Sequence, residues 1–209
     1  MLKKIFLSVL LLYTSKLNAQ VIKMVDSDNL FTSFKQGNRG DCVSIALIKA
    51  GICAFGINGI FTEKKLNDTI TEVTLKNGKQ YRVSNSEIKI ADTAMHIKKR
   101  KNADAELINY SVKCFAVMSK VKQINEGREN FESAMNRLLK GAKGHKSFYL
   151  LGLENNCIIL DSLPDYHSFC GGVAWTKKHV VFVCNGFMDK YGKKVSVSNE
   201  YYGGFKVIK

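Results

Sequence analysis

The chain has 209 residues, 45% of them hydrophobic, and a single proline. These values suit one globular domain with a sizeable core and exclude a disordered or collagen-like chain. The formal net charge is +14, so association with anionic surfaces is expected. Because basic and aromatic residues do not interleave as they do in nucleic-acid platforms, no specific nucleic-acid partner is predicted.

Residues 1–19 predict a secretory signal peptide. Two lysines precede a short apolar block from Ile5 to Tyr13, and Leu17-Asn18-Ala19 offers a small-residue cleavage site. The block is too short for a membrane span, and no other stretch reaches about 18 apolar residues, so no transmembrane helix is expected. The functional domain is therefore predicted at residues 20–209, secreted to the cell exterior or the periplasm.

The predicted export would place the cysteines in an oxidising environment, and their spacing predicts no metal site. The chain has six of them, at positions 42, 53, 114, 157, 170 and 184, and export permits disulfides. If one cysteine is catalytic, at most two pairs can form among the rest. No C-x-x-C or H-E-x-x-H spacing is present, so neither a metal nor another cofactor is predicted.

The first elements of the predicted domain are a buried helix and a hairpin. Residues 42–55 are apolar on nearly every side, which predicts a buried helix, and Asp41 is a plausible N-cap. The stretch from Ile70 to Val83 alternates between apolar and polar residues around Asn77-Gly78, which indicates two strands joined by a tight turn.

Helices and then strands are predicted for the rest of the chain. One helix is expected to start near Asp104, and another to run roughly over 129–140 and end before Gly141. The final part contains short β-rich runs separated by turn residues: FYLLGL, CIIL, GGVAW, HVVFV, VSVS and FKVI. This order predicts an α+β fold in which a helical part and an antiparallel sheet meet along a cleft.

The segment QGNRGDC, residues 36–42, carries the clearest chemistry. A cysteine that opens a helix lies at the positive end of the helix dipole, which favours the thiolate. Unpaired backbone N–H groups at the same helix end can hold an oxyanion, and the Gln36 amide offers a second donor. Gly37 and Gly40 would let the loop approach a substrate closely. A lower thiol pKa and alkylation of Cys42 well below pH 8 are therefore expected.

The spacing Gln36-Gly37-x-x-Gly40-Asp41-Cys42 resembles the motif of calpain-like peptidases, in the papain-like clan of cysteine peptidases. The resemblance implies a papain-like fold, a protein or peptide substrate, Cys42 as nucleophile and Gln36 in the oxyanion hole. A histidine and an asparagine from the β-rich part would complete the site. Val43 stands where the family usually has tryptophan. No EF-hand loop is present, so calcium dependence is not implied.

Two histidine–asparagine registers fit such a site. In the favoured one, His167 and Asn185 lie on two strands joined by a turn near Thr176, so that antiparallel pairing would bring them together. In the other, His179 opens the strand HVVFV and pairs with Asn199.

The sequence also leaves two alternative functions open. Bacteriocin-processing cysteine peptidases carry Gln and Asp-Cys at similar spacing, and KHVVFV resembles their histidine strand, which would make His179 the base. A catalytically inactive papain-like binding module is the other alternative, because Val43 and the sequence Asn185-Gly186-Phe187 depart from the family pattern.

Overall fold

The computed structural model describes residues 20–101, 103–141, 143–160, 169–197 and 204–208. Five α-helices are found in these ranges: α1 Ser27–Thr32, α2 Cys42–Phe55, α3 Asn85–Met95, α4 Ala105–Asn125 and α5 Phe131–Leu139. None of these helices is long and apolar enough to span a membrane. The predicted helices over 42–55, after Asp104 and around 129–140 are confirmed.

Eleven strands form three antiparallel sheets in the same ranges. The strands are β1 Phe34–Lys35, β2 Phe61–Lys65, β3 Ile70–Leu75, β4 Gln80–Ser84, β5 Lys98–Lys99, β6 Cys157–Leu160, β7 Cys170–Trp175, β8 Val180–Cys184, β9 Phe187–Asp189, β10 Lys194–Ser196 and β11 Phe205–Ile208. The largest sheet has the order β10-β9-β8-β7-β11-β6, β2-β3-β4 form a second sheet, and β1 pairs with β5. With its helices and sheets, the described chain is an α+β protein, as predicted.

Helix α2 lies between the large sheet and the helical layer. Its residues from Val43 to Cys53 are all buried, and the helix packs against β7 and β8 on one side and α4 on another. Such a helix must be apolar all round, because no face of it meets water. The same packing makes α2 a rigid support for the residue at its N-terminus.

The direction of α2 relative to the sheet is fixed at both ends. At its C-terminal end, Cys53 forms a disulfide with Cys170 of β7, and Cys184 of β8 lies beside this pair. At its N-terminal end, Cys42 meets Val180, the first residue of β8. Helix α2 and strand β8 therefore run in the same direction, with Cys42 next to the start of the strand.

The hairpin prediction is confirmed and the structure extends it. Strands β3 and β4 pair around Asn77 and Gly78, and Gly78 has φ +80°, which glycine adopts without steric cost. Strand β2 adds a third strand beside β3. Helix α3, which the apolar spacing did not predict, begins with a capping box in which Ser84 and Glu87 bond each other's backbone N–H.

One predicted strand is wrong. The run FYLLGL forms a short 3₁₀ helix, Phe148–Leu151, followed by Gly152 with φ +69°. Phe148 and Leu151 are both buried, at the i, i+3 spacing of a helical turn rather than the alternation of a strand. A short buried segment has the same apolar composition in a strand and in a helical turn, so composition alone does not distinguish the two.

Candidate active site

Cys42 is the first residue of α2 and is partly exposed. Burial raises the pKa of its thiol, the backbone N–H groups of Val180 and Val43 act in the opposite direction, and the charge of Asp41 raises it further. The predicted depression of the thiol pKa is therefore not found, because loss of hydration outweighs the nearby N–H groups. The thiol of the free protein is thus protonated at neutral pH.

Two adjoining concavities meet at Cys42. The inner pocket, about 20 Å³ in volume, is lined by Gln36, Cys42, His179, Asp189 and Tyr191 among others. The outer cleft, about 780 Å³, shares Gln36, Cys42, His179 and Tyr191 with it and extends between the loop before α2, the segment after α5 and the turn between β7 and β8. A thiol, an imidazole, an amide and a carboxylate are therefore present around one small space.

Gln36 lies on the loop that leads from β1 to α2, and its amide NH₂ donates a hydrogen bond to the Arg39 carbonyl oxygen. The loop is tied down at two glycines. A Cβ on Gly37 would overlap the His96 carbonyl oxygen, and the Gly40 N–H donates to the Leu139 carbonyl oxygen at 2.8 Å. These glycines therefore permit close packing against the protein's own backbone rather than against a substrate.

His179 is held at the turn between β7 and β8. Its backbone N–H donates to Thr176 Oγ1 at 3.0 Å, and its carbonyl oxygen accepts from the Thr176 N–H at 2.8 Å. Its ring stacks on that of Tyr191, with centroids 5.1 Å apart and planes 17° apart. Partial burial lowers the pKa of His179, and the Asp189 carboxylate opposes this effect. A neutral imidazole, able to accept a proton, is thus available at neutral pH.

Asp189 ends β9 and is almost fully buried. One carboxylate oxygen lies 2.6 Å from Lys49 Nζ, and the other accepts the Gly192 N–H at 2.6 Å. Lys49 has no exposed surface; its ammonium also donates to the Phe34 carbonyl oxygen at 2.6 Å and lies 4.5 Å from the centre of the Phe34 ring. Burial lowers the pKa of Lys49, and the charge of Asp189 opposes the shift.

Tyr191 shows backbone strain next to the site. Its φ is +53°, a left-handed conformation that few non-glycine residues adopt, and its side chain is 56% exposed. It lines both the inner pocket and the outer cleft while stacking on His179. The strained backbone thus places an aromatic ring against the imidazole.

Asp41 is completely buried immediately before Cys42. In the described structure neither carboxylate oxygen has a hydrogen-bond partner, and the side chain does not cap α2. Burial raises the pKa of Asp41 to about 6, against small opposing effects of its own N–H and of Arg39. The predicted N-cap hydrogen bond is therefore absent, although Asp41 does occupy the N-cap position.

The structure does not bring Asn185 to Cys42. Asn185 is exposed in the turn after β8, with φ +49°, and its N–H bonds the Phe169 carbonyl oxygen. Strand β8 has five residues and spans about 16 Å, so Asn185 and His179 lie at opposite ends of it. His167 and Asn199 fall outside the described residues.

The cysteines at the far end of α2 form a separate cluster. Among the described residues, Cys53, Cys170 and Cys184 are the group whose side chains lie close enough to share a metal ion. Cys53 and Cys170 are joined as a disulfide, and Cys42, Cys114, Cys157 and Cys184 are free. The cluster is separated from Cys42 by most of the length of α2, about 16 Å.

Three residues of the site were missed in the sequence: Asp189, Tyr191 and Lys49. A signal for Asp189 was present, since Asn185-Gly186 predicts a turn that returns the chain toward His179 within ten residues. Lys49 follows Cys42 by two helical turns and so shares its face, and a lysine inside an apolar helix indicates a buried partner. No pattern in the sequence marks Tyr191.

Comparison with known proteins gives no match: no family model, no curated protein and no solved structure is similar to this chain.

Proposed function

We propose that the protein is a papain-like cysteine peptidase in which Cys42 is the nucleophile and His179 is the general base. The observation that carries this proposal is that Cys42, His179 and Gln36 line one pocket at the N-terminus of the buried helix α2. This is the His179 register, which the resemblance to bacteriocin-processing peptidases also favours. Asn185 has no such support, since it lies at the other end of β8, and His167 lies outside the described residues.

The pKa shifts imply that, in this mechanism, the thiol loses its proton as it reacts and not beforehand. Burial raises the pKa of Cys42 and lowers that of His179, so both groups are neutral in the resting protein. His179 takes the thiol proton while the sulfur bonds to the peptide carbonyl carbon. The imidazolium then gives that proton to the leaving amine, and water, deprotonated by His179, hydrolyses the resulting thioester.

Two donors support the oxyanion. The Cys42 N–H has no partner within α2 because it belongs to the first turn of the helix. The Gln36 amide uses one hydrogen for the Arg39 carbonyl, and its NH₂ group carries a second. Gln36 and Cys42 both line the pocket, so in this proposal their N–H groups stabilise the tetrahedral intermediate.

Asp189 is the proposed partner of the imidazolium. Its carboxylate raises the pKa of His179 against the effect of burial, so it stabilises the charged ring that forms during attack. Lys49 and the Gly192 N–H hold the carboxylate in place. Lys49 also neutralises part of its charge, so this support is weaker than that of an unpaired carboxylate.

Hydrolysis of denatured casein tests the proposal. Residues 20–209 should release peptides under mildly reducing conditions, with the activity abolished by iodoacetamide and by Cys42→Ala. The matched control is Cys114→Ala, which removes a fully buried thiol outside the site and should retain activity if it folds. Equal activity with and without Cys42 overturns the proposal.

A binding module without turnover is the second candidate. The raised pKa of Cys42 and the hydrogen bond that holds Gln36 on the Arg39 carbonyl favour it, because both reduce reactivity. It predicts that peptides bind the cleft, that no product accumulates and that iodoacetamide leaves binding unchanged.

A further inference from the structure

The outer cleft beside Cys42 is strongly basic. Five of its lining residues are cationic, and none is an aspartate or glutamate among the described residues: Arg39, Lys140, Lys143, Lys177 and Lys178. All five are exposed. The cleft therefore carries a local positive charge of five on its lining. The inner pocket is lined by one lysine, Lys35, and by Asp189, whose carboxylate is paired with the buried Lys49.

The cations come from different parts of the chain and surround the cleft. Arg39 lies on the loop before α2, Lys140 and Lys143 follow α5, and Lys177 and Lys178 form the turn that presents His179. Because separate elements contribute them, the positive charge is a property of the folded cleft. It is not the consequence of one basic run in the sequence.

Among the described residues, no carboxylate pairs with the lysines of the cleft. None of the four forms a salt bridge with a described residue, whereas Lys23, Lys113 and Lys194 elsewhere on the surface do. A single exposed charge contributes little to binding. Several like charges around a concave surface act together, because the low-dielectric walls focus their field and raise the local concentration of anions.

From this charge distribution we infer that the cleft binds acidic peptide segments, rich in Asp and Glu, and presents them to Cys42. The inference rests on the proposed function in taking the cleft as the place where a peptide lies. A peptide is favoured over a nucleic acid because the cleft ends at a thiol and two amide-type donors suited to a carbonyl group. A phosphodiester accepts hydrogen bonds from such donors as well, but it offers no carbonyl carbon for the thiol to attack.

Binding to Cys42→Ser, which cannot form the thioester, tests the inference separately from turnover. The probes are two peptides of equal length and apolar content with a neutral dye, one with Glu and the other with Lys at its charged positions. Polyuridylate is the third probe. We expect the Glu peptide to bind at least about tenfold more tightly than the Lys peptide at low salt, with the ratio falling as ionic strength rises.

Charge reversal locates the effect. Lys177→Glu/Lys178→Glu should abolish or invert the preference. Lys79→Glu/Lys89→Glu changes the net charge equally at exposed positions outside the cleft and should keep the preference. Equal binding of the two peptides, an unchanged preference after reversal in the cleft, or tighter binding of polyuridylate than of the Glu peptide overturns the inference. If the Glu preference holds but casein is not hydrolysed, the proposed function fails and the acidic cleft ligand stands.

Discussion

Lys49 and Asp189 are 140 residues apart in the chain, yet their charged groups lie 2.6 Å apart in the protein interior. Lys49 belongs to the helix that begins at Cys42, and Asp189 lies beside His179 in the inner pocket. The ion pair therefore connects α2, which carries the candidate nucleophile Cys42, to β9, which ends at the carboxylate beside the candidate base His179.

Removal of either partner should destabilise the protein. Lys49→Met leaves a buried carboxylate with its Gly192 N–H and without a cation, and we expect a loss of about 3–5 kcal/mol in the free energy of unfolding. Lys49→Met/Asp189→Asn should lose less than the two single changes together, since neither charge then remains unpaired. Urea unfolding of the four proteins measures the coupling.

An exposed ion pair provides the control. Lys23 bonds Asp104 and Glu106 with about half of its side chain in water, so Lys23→Met should destabilise the protein far less than Lys49→Met. Additive losses for Lys49 and Asp189, or equal losses for Lys23 and Lys49, would show that the buried pair does not act as a unit.

Separate substitution of His179, His167 and Asn185 should distinguish the two histidine–asparagine registers. We expect His179→Ala to lower kcat on casein by about 10²–10⁴, because the proton transfer from Cys42 is lost. Asn185→Ala should change it by less than about twofold, since Asn185 is exposed at the other end of β8. His167→Ala completes the comparison. If His179→Ala keeps full activity while His167→Ala or Asn185→Ala lowers kcat strongly, the register of His167 and Asn185 is favoured instead.

Gln36 should contribute to kcat rather than to substrate binding. In the proposed mechanism its amide stabilises the oxyanion, so Gln36→Ala should lower kcat about a hundredfold or more with little change in KM. Asn38→Ala is the matched control, because Asn38 lies on the same loop and lines the outer cleft without adjoining the inner pocket. Equal effects at the two positions would assign Gln36 a role in loop structure alone.

Asp41 should make stability fall as the pH rises. Burial raises its pKa to about 6, from 3.8 in the unfolded chain, so the folded protein binds more protons between these values and loses stability as the carboxyl ionises. Relative to Asp41→Asn, the wild-type free energy of unfolding should fall by about 2–3 kcal/mol between pH 4 and pH 6 and then level off.

The same substitution should also affect the thiol. The charge of Asp41 raises the pKa of Cys42, so Asp41→Asn should increase the rate of iodoacetamide alkylation at neutral pH. The prediction is wrong if the difference in free energy of unfolding between wild type and Asp41→Asn does not vary with pH and the alkylation rate of Cys42 is unchanged. Asp41 would then stay protonated, or its carboxylate would be hydrated.

Local sequence was sufficient for the elements with strong periodicity or turn chemistry. The all-apolar run after Cys42 predicted α2, and Asn77-Gly78 predicted the β3–β4 hairpin, because burial and turn conformation select residues within a few positions of one another. Local sequence was insufficient for Phe148–Leu151, because a short buried strand and a buried helical turn have the same apolar composition. Helix α3 was missed because Ser84 and Glu87 mark its start without a strong apolar stripe behind them.

The sequence by itself determined the nucleophile side of the candidate site. Gln36, Asp41 and Cys42 lie within six residues of one another, so chain connectivity keeps them within reach of one site. Only the tertiary structure decided which end of β8 lies beside Cys42, and it places His179 at that end and Asn185 at the opposite end. Antiparallel pairing in the sequence leaves both histidine–asparagine registers open. Which of them reaches Cys42 depends on the direction of α2 relative to β8. That direction is set by packing between residues more than a hundred positions apart, such as Cys53 and Cys170.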